Sequence, residues 1–135
     1  MLDGQDPYEI WERAKIPDAE IYRKHVDGFV DNFVRKEHRD RWREFLVKRP
    51  KQLFSKSSKL QNHIDWGVCV LLKNEDALVA QTKSGIYFDF HDEPKILTAE
   101  EAFYIGYGRD ALFFIEVGKK AVFFFHEYEN YLCTK

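Results

Sequence analysis

A chain of 135 residues has the length of one domain, and its 44% hydrophobic and 16% aromatic content excludes the disordered class. The net charge of −2 offers no global attraction to nucleic acid or to an anionic membrane. Two cysteines, Cys69 and Cys133, exclude a disulfide framework and read as reduced thiols in a cytoplasmic protein. The distribution of charge says more than its sum. Residues 1–34 carry 4 Lys/Arg and 8 Asp/Glu, residues 35–59 carry 10 and 3, and residues 60–135 carry 7 and 12. A basic middle thus lies between two acidic flanks. The N-terminus has neither the basic start nor the apolar core of a signal peptide, and no apolar run reaches the roughly 20 residues that span a bilayer.

Asp6-Pro7-Tyr8-Glu9 places an N-cap before a proline at the first helical position, which predicts a short helix to about Lys15 burying Ile10, Trp11 and Ala14. Pro17 ends it and Asp18 caps the next helix. There Ile21, Tyr22, His25, Val26, Phe29, Val30, Phe33 and Val34 recur at helical spacing. Gly28 falls off that stripe, and His25 at its edge reads as a core-margin histidine. A third helix is expected over Glu37–Lys48, with Trp42, Phe45 and Leu46 inward, stopped at Arg49-Pro50. Arg39, Arg43, Lys51, Lys56 and Lys59 would form a phosphate-binding patch if this segment met nucleic acid. The competing reading is a solvated helix face laced with ion pairs, and no zinc-finger spacing or RNP-like aromatic pair accompanies the charge. Nucleic acid is therefore not the expected partner.

From Trp66 the period changes to two. Trp66–Leu72, Leu78–Thr82 and Ile86–Phe90 predict a three-stranded meander, with a turn at Lys73–Asp76 and a hairpin loop at Lys83-Ser-Gly85. In the third strand Ile86, Phe88 and Phe90 point inward, while Tyr87, Asp89 and His91 point outward. His91–Pro94 turns the chain. Thr98-Ala-Glu-Glu101 is a capping box for a short helix near residues 98–105, which Gly106-Tyr107-Gly108 ends. That Gly-x-Gly follows a helix and precedes a strand, the reverse of a dinucleotide fingerprint. Ala111–Val117 and Ala121–Tyr128 then flank Gly118-Lys-Lys120, the pattern of a β-hairpin. Both its faces are apolar, so it belongs inside a sheet covered on both sides, by the chain's own helices on one side and by another protein on the other. The expected fold is α+β: one domain over residues 1–135, with a helical layer at 1–59 packed on an antiparallel sheet of about five strands at 66–128.

Few constellations could carry chemistry. Asp89, His91, Asp92 and Glu93 are the densest group of ligand and acid–base types, and with His126 or Glu127 they could form a metal site or an acid–base pair. Two ligand types in turn chemistry fall short of three converging ligands, so no metal or other cofactor is expected. The serines at 55, 57 and 58 lie outside any nucleophile elbow, and there is no P-loop or His-Glu-x-x-His. A small enzyme centred on Asp89, His91 and His126 is the third reading, behind nucleic-acid binding by the basic segment. Seven tyrosines are many for this length, and Tyr107 with Arg109 and Tyr87 with Asp89 are pairs of the kind enriched at protein interfaces.

In size, acidic flanks and architecture the whole chain resembles the small immunity proteins of bacterial toxin systems of the contact-dependent and type VI secretion kinds. That resemblance implies a cytoplasmic, non-enzymatic inhibitor that covers the active site of a cognate toxin, in many cases a nuclease. The outward groups Tyr87, Asp89, His91, Asp92 and Glu93, with Tyr107 and Arg109, are then the expected contact surface. Their carboxylates would pair with a basic cleft on the partner.

Overall fold

The computed structural model describes residues 4–47, 63–65, 68–89, 92–124 and 129–135. Its first helix, α1 (Pro7–Arg13), begins where Asp6 accepts a hydrogen bond from Tyr8 N at 2.9 Å. Asp18 starts α2 (Ala19–Phe33) in the same way, accepting from Glu20 N and Ile21 N. A 3₁₀ turn at Lys36–His38 leads into α3 (Arg39–Val47). Then come β1 (Cys69–Leu71), α4 (Glu75–Gln81), β2 (Ser84–Phe88), β3 (Lys95–Thr98), α5 (Ala99–Gly106), β4 (Ala111–Glu116), β5 (Lys120–Phe124) and β6 (Asn130–Thr134). The strands form one antiparallel sheet in the order β1-β6-β5-β4-β2-β3. Among the described residues no helix is long and apolar enough to cross a membrane.

The α+β class with an antiparallel sheet is as expected, and so is the placement of the β4–β5 hairpin at its centre. Alternation along the hairpin divides the core in two. Leu112, Phe114, Ala121 and Phe123 join Val26, Phe29, Val30, Phe33, Trp42 and Leu46 of α2 and α3. Ala111, Phe113, Val122 and Phe124 join Ile10 of α1, Leu78 of α4 and Ala102, Phe103 and Ile105 of α5. The chain's own helices therefore cover both faces, and the N-terminal helices are split between them instead of forming one layer. Among the described residues the second face of the β4–β5 hairpin is thus covered by α1, α4 and α5, where another protein was expected.

The connectivity differs from the expected meander. Residues 75–81 are helical because Asn74 caps them, accepting from Ala77 N at 3.0 Å, and Glu75 and Asp76 complement the first-turn dipole. The Leu78-Val79 apolar run suggests a strand, but this local cap decides the matter. Ser84 and Gly85 lie within β2 instead of in a loop. A Cβ at Gly85 would stand 2.4 Å from Phe114 O, so glycine here permits the close approach of β4. Two further strands, β3 and β6, carry no alternation that signals them in the sequence. β1 lies at the opposite edge of the sheet from β3. Trp66, Phe90 and residues 125–128 fall outside the described residues, as does the side chain of Phe45.

Gly28 lies off the apolar stripe of α2, as expected, and its place has a second reason. It faces the β4–β5 turn, and Asn32 Nδ2 donates to Gly118 O at 2.9 Å beside it, with Gly118 at φ +68°. A Cβ on Gly28 would lie 2.6 Å from Gly118 N. Helix propensity alone favours Gly28→Ala by about 1 kcal/mol. The collision is with backbone, however, and the expected result is a net loss of about 2 kcal/mol in denaturant unfolding. A stabilised variant would show that the turn yields.

The α2–α3 junction is held by the 63–65 segment. Arg35 N donates to His63 O at 2.7 Å, Asp65 N donates to Phe33 O at 2.8 Å, and Val34 bridges Ile64. Trp42 Nε1 donates to His63 Nδ1 at 2.9 Å, and the His63 ring stacks on His38 at 3.8 Å between centroids. Burial first, then the charges of His38 and Arg41, lower the His63 pKa, with Glu37 opposing them. Burial also lowers that of His25, whose ring lies 5.8 Å from Phe114 at the core margin. A proton on Nδ1 would displace the Trp42 hydrogen bond. The native state thus binds fewer protons than the unfolded chain. The stability these histidines contribute is present above the unfolded value of about 6.5 and is lost as pH falls through the lower folded values. The urea midpoint is expected to drop between about pH 7 and about pH 5, and a flat profile there would contradict this.

Candidate functional site

β2 does not carry a wet side. It is an inner strand between β4 and β3, and its Tyr87 side is covered by α1 and α5. Tyr87 is fully buried, with its ring 5.8 Å from Trp11 and 6.2 Å from Phe124. Among the described residues its hydroxyl has no hydrogen-bond partner, and burial pushes its pKa up. Asp89 is 5% exposed. The alternation that marks both residues as outward is correct in period but not in meaning. Tyr87 brings a large apolar ring, and Asp89 has a counter-charge in Arg109, whose Nη1 donates to Asp89 Oδ2 at 3.3 Å.

Arg109 reaches that carboxylate because α5 ends just before it. Thr98 and Glu101 make the full capping box at the start of α5. At the other end Gly108 adopts φ +75° and Arg109 N donates to Gly106 O at 3.0 Å, turning the side chain back over β2. Tyr107, on the same turn, is 72% exposed. The α1 side is anchored by Tyr104, whose hydroxyl donates to Gln5 O at 2.8 Å. Lys95 adds a bond to Ala14 O at 3.4 Å and lies 5.5 Å from the centre of the Trp11 ring.

These contacts frame an open cleft of about 310 Å³ lined by Asp6, Pro7, Tyr8, Trp11, Asp89, Asp92, Ile105 and Arg109. Three carboxylates face one guanidinium. The Tyr8 pKa is raised first by a hydrogen bond to Glu12 and by the Glu12 charge, and to a smaller extent by the charges of Asp6 and Asp92. Asp92 and Glu93 are exposed at the rim, where Asp92 Oδ1 accepts from Glu93 N at 2.9 Å. The arrangement suits a cationic group stacked against the aromatic wall. Of the expected contact residues, Asp89, Asp92 and Arg109 converge here, with Glu93 and Tyr107 next to it. Tyr87 is beneath the surface, and His91 lies outside the described residues. Asp6, Pro7, Tyr8, Trp11 and Ile105 join the site without having been expected there. In the sequence Asp6-Pro7-Tyr8 carries only a helix-start signal, although an exposed Tyr beside a capping Asp is a hint of a surface role.

The two other groupings fare differently. Arg39 Nε donates to Val34 O at 3.0 Å, and Arg43 pairs with both Asp27 and Asp31 of α2, with Nε 3.1 Å from Asp27 Oδ1. These two arginines bind helix to helix. Lys51, Lys56 and Lys59 lie outside the described residues. So do His91 and His126, and among the described residues no group of three or more His, Cys, Asp or Glu could hold a metal ion. Compared with known proteins, the chain matches no family model, no curated protein and no solved structure.

Proposed function

We propose that this chain is a non-enzymatic binding protein that acts in the cytoplasm and docks a basic partner in the cleft between α1 and Arg109. The resemblance in character to immunity proteins makes a cognate bacterial toxin the partner in this reading, and a nuclease is the kind whose basic substrate cleft suits this surface. The observation that carries the proposal is the composition of the cleft. Asp6, Asp89 and Asp92 outnumber Arg109, and exposed Tyr8 and half-buried Trp11 supply aromatic area. Interfaces concentrate their energy in such aromatic and charged anchors, and complementary charge speeds encounter and selects the partner.

The test uses Asp92→Lys with Glu93→Lys, both on exposed positions, so that the fold is kept. With the co-expressed product of the adjacent reading frame as the partner, the double variant should bind at least about tenfold more weakly, because like charges would meet across the interface. The control, Arg23→Glu at an exposed position on α2, should bind as the native chain does. Equal binding by the native chain and the double variant would refute docking at this cleft.

A further inference from the structure

Cys69 and Cys133 are opposite each other in the β1–β6 pairing, and both are buried and unbridged. The neighbouring backbone bonds fix the kind of pair. Thr134 N donates to Val68 O at 3.1 Å, and Leu72 N donates to Asn130 O at 2.8 Å. Positions 68 and 134, and likewise 72 and 130, are therefore hydrogen-bonded pairs, which makes 69 and 133 a non-hydrogen-bonded one. In such pairs the Cα atoms are only about 4.5 Å apart and the side chains are at their closest. A disulfide spans Cα separations of about 4.4–6.8 Å. Both thiols point to the α2–α3 side of the sheet. Their proximity also shows in Cys133, whose pKa is raised first by its hydrogen bond with Cys69 and then by burial.

We propose that Cys69 and Cys133 form a modification site, a reversible cross-strand disulfide made by exchange with a low-molecular-weight disulfide. β1 is the outermost strand and only three residues long, and its Val70 and Leu71 are exposed, so Cys69 is reached when this strand opens. The Cys69 thiolate attacks the reagent, forms a mixed disulfide and expels one thiolate. The Cys133 thiolate then attacks the Cys69 sulfur and expels the second. Two protein thiols are oxidised, the reagent disulfide is reduced to two thiols, and the two cysteine protons end on those products. The bond ties the edge strand to β6 and closes nearly half of the chain into one loop.

The experiment treats the native chain with oxidised glutathione. The expected product is a monomer lighter by two hydrogens, with no free thiol after denaturation and one peptide pair joining Cys69 to Cys133. Its melting temperature should rise by several degrees and return with dithiothreitol, since a cross-link over a long loop restricts the unfolded chain. Peptide mapping is done on the native sequence, so the result does not depend on a buried cysteine variant folding. Three results would overturn the proposal: stable glutathione adducts on both cysteines, disulfide-linked dimers, or thiols that stay reduced under conditions that oxidise the urea-unfolded chain.

Discussion

Asp89→Lys is expected to destabilise the fold by about 3–5 kcal/mol, the usual consequence of leaving a charge buried without its partner. Asp89 is 5% exposed and pairs with Arg109 at 3.3 Å. A lysine there would set two cations side by side beneath α1, close to the Tyr87 hydroxyl, which among the described residues already lacks a partner. With native stabilities of about 5–15 kcal/mol, the variant would be near its unfolding threshold. Asp92→Lys, a few residues on at an exposed position, should cost less than about 0.5 kcal/mol. Urea unfolding of the two variants is the check. Equal midpoints would mean that Asp89 is reached by water.

Trp42→Ala should cost about 4 kcal/mol, as large-to-small changes of buried Trp do. Trp42 is fully buried, 5.9 Å from Phe29 and 6.2 Å from Phe123 between ring centroids, and it bonds His63. It therefore joins α3, the sheet and the 63–65 segment at one point. Trp42→Phe keeps most of the ring and loses the N–H···N bond, for about 1 kcal/mol. It should also weaken the acid sensitivity, because a proton on His63 Nδ1 would no longer displace a buried donor. Calorimetry on both variants separates volume from hydrogen bonding, and equal losses would place the whole effect in the hydrogen bond to His63.

What the sequence makes legible is local. The Asp6 and Asp18 caps, the Thr98–Glu101 box, the Gly108 stop and the two apolar faces of β4 and β5 are each written within a few residues, and each is present in the structure. The error at Tyr87 and Asp89 arises because burial depends on elements remote in sequence. Tyr87 and Asp89 alternate with Ile86 and Phe88 as a half-wet strand would, but α1 and Arg109, some 80 positions before and 20 after Asp89, cover that side. The Leu78-Val79 run looks like a strand until the Asn74 side chain is counted as a cap. Lys95–Thr98 and Asn130–Thr134 are too short to show a period. The cleft is half legible: Asp89, Asp92 and Arg109 stand out by their charge, while Tyr8 and Trp11 belong to a helix with no local reason to meet them.

In the proposed function the cleft between α1 and Arg109 meets a basic partner. Zero-length carbodiimide cross-linking of the complex, mapped by mass spectrometry, tests it most directly, because the reagent joins only carboxylates and amines already in contact. Bonds are expected from Asp6, Asp92 or Glu93 to lysines of the partner. Cross-links from Asp27, Asp31 or Asp40 on α2 and α3, with none from Asp6, Asp92 or Glu93, would contradict it.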